Sequence, residues 1–258
     1  MLEEIAKERI LLKEIRKRCG RTPQPGVSII TPTAKPQYVD NIITNYARLN
    51  YPYKELIIIL NNNQLNMSYY KIRFADIKDV RIFQFDESYS LGKCLNFGIE
   101  EASYNYISKM DDDDYYGANY LTDLMNVFKY TDAEITGKSS SFVYFEDSNT
   151  LSIRDHKNQY KYMNTFHEYI SIKGSTILLK KKILEKVKFK NLNCGEDTEF
   201  LIDCFNAGIK VYAADKYNYV YMRHKNLLEH TWQVSSKELM SVCQKFLVAK
   251  NFIPFIEA

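Results

Sequence analysis

The chain has 258 residues, 45% hydrophobic and 26% charged, proportions of a soluble globular protein with a substantial core. Its formal charge of +3 is spread among Lys, Arg, Asp and Glu without a basic field, which argues against a nucleic-acid partner. Cys19, Cys94, Cys194, Cys204 and Cys243 form no close pair of the zinc or redox type, no apolar stretch approaches the ~20 residues of a spanning helix, and the N-terminus is too charged for a signal peptide, so a cytoplasmic protein with reduced thiols is expected.

Residues 2–18 set Leu2, Ile5, Leu11, Leu12 and Ile15 among Lys, Arg and Glu, an amphipathic helix ending near Gly20. Such a helix docks on its own domain, on a second copy or at the inner face of a membrane, and the acidic residues dilute its basic face. It makes a first segment, 1–22, which runs into a short linker, Arg21 to Gly26, marked by Pro23 and Pro25. The main domain is expected over 23–225, its nucleotide-binding half reaching to about 115, and a helical tail over 226–258.

From Val27 the chain alternates strands and helices. A β-branched strand, Val27 to Ile30, precedes a helix from about Tyr38 to Leu49. Glu55 to Leu60 is an uninterrupted apolar run, as in a strand buried on both faces of a parallel sheet, and Asn61, Asn62 and Asn63 make its turn. A helix near Ser68 to Ile77, a strand Val80 to Phe85, a helix Leu91 to Ala102 and a strand Tyr104 to Met110 follow. Successive βα units predict an α/β fold with a doubly wound, mainly parallel sheet and helices on both faces, where ligands collect at the carboxyl ends of the strands. The second half is less regular, with apolar stretches at Ala133 to Thr136, Ser140 to Phe145 and Thr176 to Leu179, then a helix from about Asp197 to Ala207 and a strand Lys210 to Ala213.

Asp111, Asp112, Asp113 and Asp114 run directly off the strand that ends at Met110. Four like charges so close repel one another and raise one another's pKa unless a cation neutralises them, and a hard divalent metal is the natural partner. A solvated acidic turn is the plainer reading; the position at a strand's carboxyl end favours ligand or metal binding.

The ordered motifs resemble those of the family 2 glycosyltransferases from Val27 to about His224. Val27 to Thr33, with Thr31, Pro32 and Thr33 at its end, looks like the family's first strand and nucleotide-contacting turn. Ser90 to Ile99 is similar to its helix before the acidic motif, where Lys93 and Asn96 would approach the donor. Lys109 to Asp114 resembles the segment with its Asp-x-Asp signature, Gly195, Glu196 and Asp197 its acceptor-side acidic motif, and Tyr219 to His224 the strand and loop that close the donor site.

The resemblance implies a GT-A fold and an inverting transfer of sugar from a nucleoside diphosphate, UDP first, to a saccharide, lipid-linked glycan or protein acceptor. It implies Mn²⁺ or Mg²⁺ held by Asp113 and Asp111, with His224 as a further ligand or diphosphate contact. Asp111, Asp112 and Arg223 join Thr31, Pro32, Thr33, Lys93 and Asn96 in the donor site. Asp197 is the expected general base, Glu196 its substitute, although acidic residues are also favoured in any first helical turn. A role in cell-surface polysaccharide synthesis would follow. Where family members commonly end the second strand with two aspartates, this chain has Leu60 and Asn61, so Asn61 is the candidate reader of the base, and a catalytically silent nucleotide-sugar-binding domain is the alternative. The acceptor site is expected between about Gly137 and Gly174 and after His224, with His230, Thr231 and Trp232 in its wall.

Overall fold

The computed structural model describes residues 2–20, 22, 24–155, 157–163, 171–226 and 232–258; His230 and Thr231 lie outside them. In chain order its elements are α1 (Leu2–Cys19), β1 (Val27–Thr33), α2 (Val39–Arg48), β2 (Lys54–Leu60), α3 (Met67–Arg73), β3 (Val80–Gln84), α4 (Leu91–Glu101) and β4 (Tyr106–Lys109). Then come β5 (Tyr115–Tyr116), α5 (Tyr120–Tyr130), β6 (Ile135–Gly137), β7 (Ser141–Phe145), β8 (Thr150–Arg154), β9 (Lys161–Met163) and β10 (Leu178–Lys180). The chain closes with α6 (Glu196–Asn206), β11 (Val211–Ala213), β12 (Tyr219–Arg223), α7 (Ser236–Ser241), β13 (Cys243–Val248) and α8 (Ile253–Ile256).

Eight strands form the main sheet in the order β3-β2-β1-β4-β10-β6-β11-β9. The run β3-β2-β1-β4 is parallel, and only β10 and β9 oppose the common direction. The apolar run of β2 serves both faces. Leu56, Ile58 and Leu60 pack with Val39, Ile42 and Tyr46 of α2 and Leu121 and Leu124 of α5, while Ile57 and Ile59 meet Leu95 and Ile99 of α4 and Phe200 and Leu201 of α6. Helices therefore cover both faces, and a strand buried on each side cannot show polar alternation. Gly98 of α4 lets that helix approach closely, because a Cβ there would lie 2.5 Å from a methyl of Ile30.

A second sheet, β13-β8-β7-β12-β5, was not apparent in the sequence. Its core of Phe142, Tyr144, Leu151, Ile153 and Val220 is covered by Ile5 and Leu12 of α1 and Ile256 of α8. The apolar face of α1 is thus spent on its own domain, leaving Ile10 and Leu11 exposed. Arg9 donates to the Pro254 carbonyl at 2.7 Å, which ties the chain's two ends together. The expected helical tail requires correction, since between α7 and α8 it contributes β13, paired antiparallel with β8. Its apolar residues Phe246, Leu247 and Val248 are consecutive and few, so no strand alternation marks it in the sequence. Among the described residues no helix is long and apolar enough to cross a membrane.

Candidate active site

The carboxyl ends of β1, β2 and β4, the start of α6 and the strands β7, β8 and β12 of the second sheet enclose a cavity of about 560 Å³. Pro32, Thr33, Asn61, Asp111, Asp112, Asp113, Glu196, Asp197 and Trp232 all line it. Residues 85 positions apart in sequence, Asp112 and Asp197, reach one cavity because β4 ends and α6 begins at this side of the sheet.

The loop after β4 is held by neutral groups. The Asn41 amide donates to the carbonyls of Asp112 and Asp114 at 2.7 and 2.9 Å, and Asn45 to Asp114 at 2.9 Å. The Tyr116 hydroxyl accepts from the Asp111 amide at 2.8 Å and donates to the Ser175 carbonyl at 2.9 Å. Fixed in this way, Asp111, Asp113 and Asp114 each present an oxygen within 4.8 Å of the others.

The carboxylates differ in their partners. Asp111 meets Lys109 Nζ at 2.6 Å and Asp113 meets Lys35 Nζ at 3.0 Å. Asp112 accepts from the Thr33 hydroxyl at 2.5 Å, and Asp114 from the Tyr219 hydroxyl at 2.7 Å and the Met222 amide at 3.0 Å. Burial and the neighbouring charge of Asp113 push Asp112 up to about 7, and the same two causes hold Asp114 well above the carboxylate range. Burial also raises Asp113, against the pull of Lys35. Three converging hard oxygens under mutual repulsion fit a divalent cation, which would be held by Asp111, Asp113 and Asp114. Asp114, overlooked as a candidate ligand, joins the cluster and also fastens β12 to it.

Glu196 and Asp197 open α6 behind Gly195, whose φ of 76° is left-handed and suits glycine. Glu196 is buried, 3.8 Å from Lys109 Nζ; burial, reinforced by Asp197 and Asp111, lifts it to about 7 despite that lysine. Asp197 is half-buried and accepts from the Thr198 amide at 2.7 Å. Lys109 thus stands between the aspartate cluster and the acidic pair, a buried cation whose signal in the sequence was its place at the end of an apolar strand.

Other expected residues are directed elsewhere. Asn96 donates to the Phe189 carbonyl at 2.8 Å and accepts from the Phe189 amide at 3.1 Å, so it splices the 189 segment to α4 and does not line the cavity. Lys93 is exposed, its ammonium 4.4 Å from the Tyr89 ring centroid. The buried Arg223 guanidinium donates to the Trp232 carbonyl at 3.3 Å and to the Val234 carbonyl, fastening the segment that carries Trp232. His224 approaches the Asp113 carbonyl at 3.2 Å and Glu146 at 3.1 Å. Thr31 is buried outside the cavity wall, whereas Asn61 lies on its rim and donates to the Asp86 carbonyl at 3.0 Å. Lys35, Arg154, Lys173 and Gly174 also face the cavity and were not singled out from sequence.

The model of "Glycosyl transferase family 2" matches residues 28–188. The fold is also that of Staphylococcus aureus TarS. TarS 1-349 in complex with UDP-GlcNAc superposes with a TM-score of 0.61 at 15% identity, over 84% of this chain and 64% of that one. A longer TarS structure gives 0.59 at 14% identity, over 76% and 36%. The chain spans less than two thirds of either TarS chain. No curated protein sequence matches it significantly. With the family model covering most of the chain, and a GT-A sheet carrying the acidic cluster at its carboxyl edge, this protein belongs to glycosyl transferase family 2.

Proposed function

We propose that this nucleotide-sugar glycosyltransferase acts with inversion and with a divalent cation, taking its sugar from a UDP donor and passing it to a hydroxyl of a saccharide, lipid-linked glycan or protein. The observation that carries this reading is that the aspartate cluster and the acidic start of α6 open on one cavity. A single displacement needs a cationic side for the departing diphosphate and a carboxylate on the attacking side, and a cation on the aspartates together with a carboxylate of α6 would supply both within that space.

Mn²⁺ or Mg²⁺ bound by the aspartates would supply Lewis-acid neutralisation of the diphosphate. Lys35 adds a fixed positive charge beside Asp113. Asp197, half-buried and free of a direct cation contact in the described structure, takes the acceptor proton; the more buried Glu196 is committed to the Lys109 side. Asn61, at the end of β2, offers both a donor and an acceptor to the base. UDP is favoured because the TarS structure of like fold is a UDP-GlcNAc complex. The free thiols of all five cysteines suit a reducing cytoplasm, where a precursor of a surface polysaccharide would be the acceptor.

Thermal midpoints with UDP, GDP, ADP and CDP, each with and without Mn²⁺, test the reading, because a ligand of the native state alone raises the midpoint. A Mn²⁺-dependent rise with UDP is expected, together with release of UDP from UDP-sugars. A protein indifferent to every nucleotide would end the proposal.

A further inference from the structure

The wall of the cavity beyond Asp197 carries two cations that share one carboxylate. Lys173 Nζ lies 2.7 Å from Asp155 Oδ2, and Arg154 Nε lies 3.5 Å from the same oxygen. Arg154 and Lys173 line the cavity and Asp155 does not, so the positive groups face inward and their common counter-charge stands behind them. All three side chains are less than one fifth exposed, where a surplus charge is poorly screened. The surplus is felt: burial and the Arg154 charge together bring Lys173 down to about 8, although Asp155 pulls the other way.

Two further features point to a ligand. The Ser171 hydroxyl, buried and two residues from Lys173, has no hydrogen-bond partner among the described residues, and Ser171 also lines the cavity. The Trp232 ring, partly exposed, receives the Arg154 guanidinium at 5.3 Å and leaves an aromatic face beside the cations, of the kind on which a sugar ring stacks. Lys173 immediately precedes Gly174, against which the Asp197 carboxylate rests, so this pair stands on the side of the attacking hydroxyl.

We infer that Arg154, Lys173 and Ser171 form an oxyanion site for a phosphate or carboxylate carried by the acceptor, and that the acceptor is therefore an anionic glycan or sugar phosphate. The inference rests on the transferase reading for the word acceptor, and not for the existence of the site. An anion there meets the unshared charge of the pair, and the Arg154 fork holds it in two bonds. The order of charges then separates the two substrates, the donor's diphosphate at the aspartates and Lys35, the acceptor's anion at Arg154 and Lys173.

Calorimetry on the whole chain tests this, with glucose 6-phosphate, glucuronate and glucose titrated in turn, each without nucleotide and with saturating UDP and Mn²⁺. Glucose 6-phosphate or glucuronate is expected to bind at least tenfold more tightly than glucose, and the stronger of the two identifies phosphate or carboxylate as the natural group. Lys173→Met and Arg154→Met should each remove that tenfold preference while UDP affinity stays within twofold. Asp155→Asn keeps the shape and the left-handed backbone, which Asn tolerates at φ 57°, and should tighten anion binding by removing the competing carboxylate. This gain cannot arise from a damaged fold. Equal binding of all three sugars, variants that lose UDP affinity in place of anion affinity, or an Asp155→Asn protein no tighter than the parent would each overturn the site. Anion binding without any Mn²⁺-dependent UDP binding would keep the site and remove the transferase reading instead.

Discussion

The Asp197 carboxylate rests on the α-carbon of Gly174, so closely that a Cβ added there would lie 1.6 Å from Asp197 Oδ2. The carboxylate proposed as the base is thus positioned by a missing side chain on the opposite wall. Gly174→Ala should push the carboxylate out of line, and since misplacement by about 1 Å can cost ~10²-fold, kcat should fall by roughly that factor with UDP affinity retained. Asp197→Asn should give a similar loss in kcat with stability nearly unchanged, because Asn caps a helix about as well as Asp. Steady-state kinetics beside a melting curve check both. Near-normal turnover of the Asn variant would pass the role of base to Glu196.

Asp113→Ala should abolish transfer and the Mn²⁺ dependence of UDP binding. The ion would lose an oxygen of the three-carboxylate cluster, and Lys35 its nearest anionic partner. Metal titration followed by UDP binding measures this. Full activity of the parent enzyme in chelator would remove metal assistance from the mechanism.

Asn61→Asp tests the reading of the base. The amide would no longer donate to the Asp86 carbonyl, and the new carboxylate would accept from the N3–H of uracil while repelling acceptor groups of other bases. Preference for UDP over CDP and ADP should therefore sharpen, as measured by competition binding. An unchanged profile would place base recognition elsewhere.

The residues legible in the sequence are those whose chemistry is local. The apolar run of β2 states its own burial, and four aspartates after a strand are conspicuous wherever the strand goes. Asn96 was read as a donor contact because its helix precedes the acidic motif, but its amide is taken by the backbone of Phe189, 93 positions away. Arg154, at the end of β8 in the second sheet, and Lys173, outside that sheet, are unremarkable in sequence and acquire meaning only when the fold brings both to one carboxylate. That sheet was hidden for a similar reason, as its edge strand β13 comes from the tail and pairs with β8. Such pairing over long sequence separations leaves no periodic trace.

The helix α1 is fastened by an ion pair whose strength should depend on pH. Arg16 donates to both oxygens of Asp123, at 2.7 and 2.8 Å, and the Asn218 amide donates to one of them at 2.9 Å. Lys138 and Asp215 also act on Asp123, in opposite directions. Burial raises this carboxyl to about 6, above its ordinary 3.8, even with Arg16 in place. A carboxyl raised in the folded state costs stability when ionised, and the cost fades as pH falls through the folded pKa. Arg16→Met removes the main opposing attraction, so the folded pKa should rise further and the ionised group should stand buried without its partner. Breaking a buried pair in this way costs about 3–5 kcal/mol, and partial exposure of Arg16 places the expectation near the lower figure. Urea unfolding should therefore show the full loss at pH 8 and a distinctly smaller one at pH 5, where the variant's Asp123 is protonated in the folded state but largely ionised in the unfolded chain. A loss equal at both pH values would mean that Arg16 serves α1 by packing alone.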